Sequence, residues 1–137
     1  MAYTKAWLDE LDLALSSLDD CKLECDGMTY AISLLLDTAG ISNGSFCGFT
    51  RDRTTGDVVM PHCWVELSGG VVIDYRLRMW LGDLDEIPHG VFLKTENPRF
   101  EYQGLPQRPP ELDWAVLEVM TDGVINRVQI PRVEWLQ

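Results

Sequence analysis

The chain has 137 residues, of which 46% are hydrophobic, so residues 1–137 are long enough for one compact core and too short for two ordinary domains. Its 22 acidic and 11 basic residues give a net charge of -11, which disfavours nucleic acid and anionic membranes as partners and fits either a basic partner or plain solubility. No apolar run approaches the roughly 18 residues of a membrane span, the N-terminal segment lacks the basic start of a secretory signal, and four cysteines are too few for a disulfide-built fold. We therefore expect a single-domain cytoplasmic protein.

Two N-terminal helices are predicted from apolar residues that recur at helical spacing. Thr4 can cap the first helix, which runs to about Leu18. The charged segment 19–24 is a connection. A second apolar stripe then begins near Cys25 and ends at Gly40. Cys25 is thus expected at the N-terminal edge of the second helix.

Extended segments follow from Ile41 onward, and turn residues separate them. Three strands are predicted at 46–51, 58–67 and 71–75. A helical turn is expected at 77–81, and the proline-rich stretch 82–110 is predicted to be mostly loop. The segment 114–130 fits either a hairpin about Asp122-Gly123 or a helix through Leu112, Val116, Leu117 and Met120, and we favour the hairpin. The elements together predict an α+β fold with N-terminal helices packed on a small antiparallel β-sheet.

The second and third strands carry the most informative residues of the chain. Alternation puts His62, Trp64 and Glu66 on one face of the second strand. A three-residue turn, 68–70, pairs Leu67 with Val71 and makes the opposite face apolar. In that register Asp74 is a diagonal neighbour of His62, within side-chain reach.

A cysteine, a histidine and an aspartate in this arrangement are the parts of a thiol-dependent acyl-transfer enzyme. His62 would take the proton from Cys25, the thiolate would attack a carbonyl, and Asp74 would orient the imidazole. A thioester intermediate follows. Hydrolysis and transfer to an amine both remain open, so peptidase, deamidase and transamidase activities are not distinguished.

These residues resemble the transglutaminase-like, papain-related cysteine enzymes over roughly residues 20–80. The matching features are the following: Cys25 at a helix start, Tyr30-Ala31 in its early turns, Gly40-Ile41 at its end, His62-Cys63-Trp64-Val65-Glu66, and Asp74 on the next strand. The resemblance implies a papain-like core with Cys25, His62 and Asp74 as catalytic triad, and a peptide or protein substrate. In such an enzyme Trp64 would form a wall beside His62 and shape substrate access; the alternative is a tryptophan that packs a helix on the sheet.

Other candidate residues are weaker. Cys21 is the rival nucleophile and His89 the rival base, while Glu66 suits an ion pair with Arg76 or Arg78. A zinc site built from Cys21, Cys25, His62 and Cys63 is disfavoured because adjacent strand residues point to opposite faces. We therefore expect neither a metal nor a cofactor.

A second function class stays open because of the charges around the thiol. Cys25 lies between Glu24 and Asp26, whose carboxylates oppose formation of a thiolate. No glutamine precedes Cys25 as an oxyanion donor, which leaves the Cys25 backbone N–H, with Trp64 or a loop amide as further options. The alternative is a catalytically inactive module on the same scaffold that binds a basic protein through its acidic surface. The sequence does not indicate the oligomeric state.

Overall fold

A computed structural model describes residues 2–108 and 113–136. The helices are α1 (Lys5–Leu15), α2 (Cys25–Thr38), α3 (Arg78–Leu81) and α4 (Trp114–Met120), and the strands are β1 (Gly44–Asp52), β2 (Val58–Leu67), β3 (Val71–Asp74), β4 (Gly90–Leu93) and β5 (Phe100–Gln107). Short 3₁₀ turns cover Ser16–Leu18, Lys94–Glu96 and Val124–Arg127. Among the described residues, no helix combines the length and apolar character needed to cross a membrane.

The two predicted N-terminal helices are confirmed. The start of α1 and the end of α2 each have a cap. The Thr4 hydroxyl accepts a hydrogen bond from the Trp7 backbone N–H at 3.1 Å, which satisfies a free donor of the first turn of α1. Helix α2 starts at Cys25. After Gly40 the Ile41 N–H returns to the Leu36 carbonyl at 2.9 Å, which closes the helix.

The strands form one antiparallel sheet in the order β4-β3-β2-β1-β5, so the chain has the predicted α+β class. Leu67 pairs with Val71 and Val65 with Ile73, which is the register that the apolar pattern predicted. These four side chains join those of α1 and α2 in the main hydrophobic core. The sheet therefore buries one apolar face against the helices and fixes the direction of every residue on β2 and β3.

The prediction that 82–110 is mostly loop is wrong over its described part. Strand β4 pairs with β3, and β5 pairs with β1 along its whole length. Prolines obscured β5 in the sequence, since Pro106 lies within it. An edge strand tolerates proline because one side of its backbone needs no partner.

The predicted C-terminal hairpin is also wrong, because residues 114–120 form α4. The Asp113 carboxylate caps this helix by accepting from the Val116 N–H at 2.9 Å, and Leu117 is fully buried. The Gly123 N–H bonds to the Glu118 carbonyl at 2.8 Å, so the Asp122-Gly123 pair closes a helix instead of joining two strands. Leu112, which supported the helical alternative, lies outside the described residues.

Two glycines allow β5 to lie close to β1 and β2. A Cβ atom at Gly48 would lie 2.1 Å from the carbonyl oxygen of Gln103. A Cβ at Gly104 would lie 2.8 Å from the Trp64 ring and 2.9 Å from the Cys47 carbonyl oxygen. The close approach of edge strand β5 to β1 and to the Trp64 ring on β2 thus requires residues without side chains at both points.

We expect Gly48→Ala to lower the free energy of unfolding by about 2–3 kcal/mol, because the methyl group meets backbone that moves only if β5 is displaced. Gly56→Ala is the control, since a Cβ there meets nothing within 4 Å and adds only the backbone cost of a φ of 81°. Urea denaturation of both variants measures the difference. An equal loss of stability in the two variants contradicts the close-approach argument.

Candidate active site

The structure brings together the three residues of the predicted triad, which come from three elements. Cys25 is the first residue of α2, His62 lies on β2, and Asp74 ends β3. The His62 and Asp74 side chains are 0% and 1% exposed. Because each residue stands on regular structure, the geometry is set by the sheet register and by the start of α2.

His62 and Asp74 form a short buried contact, with Nε2 of His62 2.7 Å from Oδ2 of Asp74. The same carboxylate oxygen accepts from the Tyr102 hydroxyl at 2.8 Å, and Oδ1 accepts from the Arg76 N–H at 2.9 Å. Three donors therefore compensate the burial of the aspartate. Burial opposes protonation of His62, but Asp74, with a contribution from Cys25, raises the pKa of His62 to about 10.

Cys25 lies beside the His62 ring, whose second nitrogen, Nδ1, is not used by Asp74. Nδ1 is buried and completes no hydrogen bond within the described part of the chain, although thiol and ring are close enough to shift each other's titration. Catalytic hydrogen bonds are often loose before substrate binds. Burial raises the pKa of Cys25, but His62 and the Cys63 backbone N–H outweigh it, so the pKa is lowered overall. The arrangement thus favours a thiolate beside an imidazolium.

Cys25 opens onto a cleft of about 820 Å³. Its thiol is half-buried, so it is neither sealed in the core nor free in solvent. The lining combines acidic, apolar and sulfur-containing side chains: Glu24, Cys25, Asp26, Tyr30, Cys47, Asp57, Val58, Val59, Met60, Pro61, Cys63, Trp80 and Leu81. A carbonyl group of a bound molecule can therefore reach the sulfur from solvent.

Three of the four cysteines line this cleft, and their environments differ. Cys47 and Cys63 are directly opposed on β1 and β2. Burial, together with contacts to Cys47 and Cys25, raises the pKa of Cys63. Cys25 is the described thiol whose pKa is lowered, which separates the nucleophile candidate from its neighbours.

The expected role of Trp64 as a wall of the substrate site needs correction. Trp64 is 1% exposed and is absent from the cleft lining. Its ring stacks on His62 with centroids 5.9 Å apart, and its N–H donates to Glu66 at 2.8 Å. Within the described residues Trp64 therefore packs against other rings of the sheet, those of Phe46, His62 and Tyr102, and not against a helix as in the packing alternative. Its N–H is bonded to Glu66 and is not available as an oxyanion donor. Glu66 pairs with Lys94 at 2.9 Å and not with either arginine named in the sequence analysis.

Tyr102 is a site residue that the sequence analysis missed. It lies on β5, which was predicted as loop, and it donates to Asp74 while its ring meets Trp64 edge-on at 5.0 Å. Burial and the neighbouring carboxylate raise the pKa of Tyr102, so it stays a donor. Alternation of Phe100 and Tyr102 was the only local signal for it.

Arg76 is the second missed residue, and it positions the segment that leads into Cys25. Its guanidinium is 6% exposed. It donates to the carbonyls of Leu23 at 2.5 Å, Cys21 at 2.9 Å and Asp19 at 3.0 Å, and to the Asp19 carboxylate at 2.8 Å. The planar Arg76 guanidinium, with its five N–H donors, can bond to several oxygen acceptors at once. The charged connection 19–24 is therefore fixed from the end of β3.

The rival nucleophile and base share a different cavity of about 890 Å³. His89 Nε2 lies 2.7 Å from the Asp19 carboxylate, and burial raises the pKa of Cys21. Neither residue lines the Cys25 cleft. Within the ranges that the structure describes, no group of three or more ligand side chains is arranged to hold a metal ion.

Comparisons with protein-family models, with curated proteins and with solved structures found no match to this chain. The chemical interpretation therefore depends on the geometry of the site.

The lowered pKa of Cys25 predicts how its alkylation depends on pH. The rate with iodoacetamide should rise with pH through a midpoint below that of a free cysteine, because the thiolate forms earlier. In His62→Gln the histidine no longer lowers the pKa of Cys25 while burial still raises it, so the midpoint should move upward. Peptide mass spectrometry assigns the label to Cys25, and Cys25→Ser serves as the blank. An unchanged midpoint in His62→Gln contradicts the pairing of thiol and imidazole.

Arg76→Lys should lower the free energy of unfolding by about 2 kcal/mol, because an ammonium group cannot replace the buried fork of hydrogen bonds. If Arg76 also positions Cys25, the midpoint of Cys25 alkylation should shift upward in conditions where the variant is folded. Arg78→Lys is the matched control, since Arg78 makes one backbone hydrogen bond, to Ile87, and is more exposed. A loss of stability without a shift in the pH profile limits Arg76 to a structural role.

Proposed function

We propose that this protein is a cysteine-dependent enzyme that hydrolyses an amide or transfers its acyl group through a thioester on Cys25. One observation carries the proposal: a half-buried thiol with a lowered pKa lies at the mouth of a cleft, beside the free nitrogen of a buried His62–Asp74 pair. We propose, on the same geometry, that the core is of the papain-like, transglutaminase-like type.

The reaction would follow the usual course of a thiol nucleophile. The Cys25 thiolate attacks the substrate carbonyl, and His62 gives its Nδ1 proton to the leaving amine. Asp74 holds the ring through Nε2 and stabilises the imidazolium. His62 then deprotonates water or a second amine, which attacks the thioester and releases the acyl group. Tyr102 and Trp64 keep the pair in register without contacting substrate.

The start of α2 offers donors for the oxyanion of the tetrahedral intermediate. Among the first N–H groups of the helix, that of Met28 bonds to the Glu24 carbonyl and that of Gly27 to the Asp26 carboxylate. The N–H groups of Cys25 and Asp26 are then available. The positive end of a 14-residue helix adds to their effect.

The second candidate is the inactive protein-binding module. It is favoured by the carboxylates of Glu24 and Asp26 next to the thiol, since Asp26 raises the pKa of Cys25 against the effect of His62. In this case Cys25→Ser would bind its partner as well as the native chain does. A partner retained only through a thioester would favour the enzyme.

Acylation by an activated ester tests the enzyme directly. With p-nitrophenyl acetate we expect a burst of about one equivalent of nitrophenolate and an acetyl group on Cys25, because the thiolate attacks and its thioester turns over more slowly. The burst rate should fall at least tenfold in His62→Gln, since general-base assistance contributes at least about that much.

Cys47→Ser is the control in this experiment, because Cys47 lines the cleft without a place in the triad. Its burst should match that of the native chain. A burst that survives in Cys25→Ser, or equal acetylation of all cleft cysteines, would contradict the proposal. Adding an amine such as glycinamide then separates transfer from hydrolysis by the mass of the product.

A further inference from the structure

The cleft beside Cys25 has an unbalanced charge. Among the described residues, its lining includes the carboxylates of Glu24, Asp26 and Asp57 and no lysine, arginine or histidine. All three are exposed, and none forms a salt bridge within the described chain. Elsewhere Asp52, for example, pairs with Arg99 at 2.8 Å. The uncompensated charge therefore lies where a ligand would approach the thiol.

The same cleft exposes large apolar side chains. Met60 is 71% exposed, Trp80 63% and Val58 47%, and all three belong to the lining. Exposed apolar groups that line one cleft can be covered by a ligand that enters it. An occupant that fits must bury alkyl or aromatic groups and bring positive charge.

A third observation comes from His62, which lies beside Cys25 but does not line the cleft. His62 is fully buried, and its Nδ1 has no partner among the described residues although its other nitrogen is bonded. A buried polar atom without a partner is costly unless a ligand or a reacting group completes it. Here the missing partner belongs at Cys25, on the wall of the acidic cleft.

We infer that the cleft binds a peptide segment carrying lysine or arginine, and that this residue lies next to the acyl group presented to Cys25. The side chains of lysine and arginine have an apolar stem and a cationic head, so one residue can cover Met60 or Trp80 and reach a carboxylate. The inference rests on the proposed function, because it names the substrate class of that site.

Charge compensation gives the cation a further effect. Asp26 raises the pKa of Cys25 when the cleft is empty. A bound ammonium or guanidinium group offsets that carboxylate, so the thiolate becomes easier to form when the correct ligand is present. The acidic neighbours that disfavour an active thiol in the free protein would then discriminate in favour of cationic substrates.

Matched peptidyl chloromethyl ketones test the inference on the full chain. The probes are Phe-Lys, Phe-acetyllysine and Phe-Glu chloromethyl ketones, and the measured quantity is the rate of mass gain at Cys25. We expect Phe-Lys to label about tenfold faster than Phe-acetyllysine, with Phe-Glu slowest, since local charge changes encounter rates by this order or more. The preference should fall at high ionic strength.

Variants assign the preference to the cleft. Asp57→Asn and Asp26→Asn should each lower the ratio of lysine to acetyllysine rates about two- to threefold. Glu10→Gln, an exposed position on α1 outside the cleft, should leave the ratio unchanged and controls for the net charge of the chain. Using a ratio removes any general change in thiol reactivity that a variant causes.

The two ways of failing are distinguishable. If Cys25 reacts with every probe no faster than a free thiol, the proposed function itself is wrong. If it reacts fast and His62-dependently but equally with all three probes, the function stands and the inference about substrate charge is wrong. A lysine preference that Glu10→Gln lowers as much as Asp57→Asn also overturns the inference, because it would reflect net charge alone.

Discussion

The arrangement of this protein depends on the buried contact between His62 and Asp74. A carboxylate and an imidazole 2.7 Å apart, both almost without solvent, are stable only if their remaining polar atoms find partners. Asp74 has them in Tyr102 and the Arg76 N–H. His62 has one on Nε2 and, within residues 2–108 and 113–136, none on Nδ1. Among the described residues the pair therefore lacks a hydrogen bond at one atom, Nδ1 of His62, and this is the atom that the proposed mechanism uses.

The few residues at the end of β3 organise the site from both sides. Asp74 fixes the histidine, and Arg76, two positions later, fixes the connection that delivers Cys25. A displacement of this segment would move Cys25 and His62 together. The hydrogen bonds of Arg76 also hold the charged connection 19–24 in one conformation. A connection of six residues can therefore lead into a defined helix start.

The sequence was sufficient for those parts of the fold that depend on local pattern and on burial of one sheet face. The start of α1 follows from the Thr4 cap, the start of α2 from its apolar stripe, and the Leu67–Val71 register from alternation. The register alone brought His62 and Asp74 within reach. Strand β5 and helix α4 could not be predicted, because Pro106 is tolerated only at an edge and because Asp122-Gly123 can end a helix or join two strands. The hydrogen bonds of Tyr102 to Asp74 and of Arg76 to residues 19–23 were missed for a different reason. Each joins residues that are far apart in the sequence, and no neighbouring residue indicates the contact.

The position of β5 at the edge of the sheet affects how the hydrogen bonds around Asp74 are lost when the protein opens locally. β5 pairs with β1 alone, and past Tyr102 its residues are largely exposed. Edge strands fray at a free energy below that of global unfolding. Such fraying would withdraw Tyr102 from Asp74 while the core of α1, α2, β2 and β3 stays folded. Hydrogen exchange of the β5 amides would then report a sub-global opening that switches the carboxylate between two and three hydrogen-bond donors.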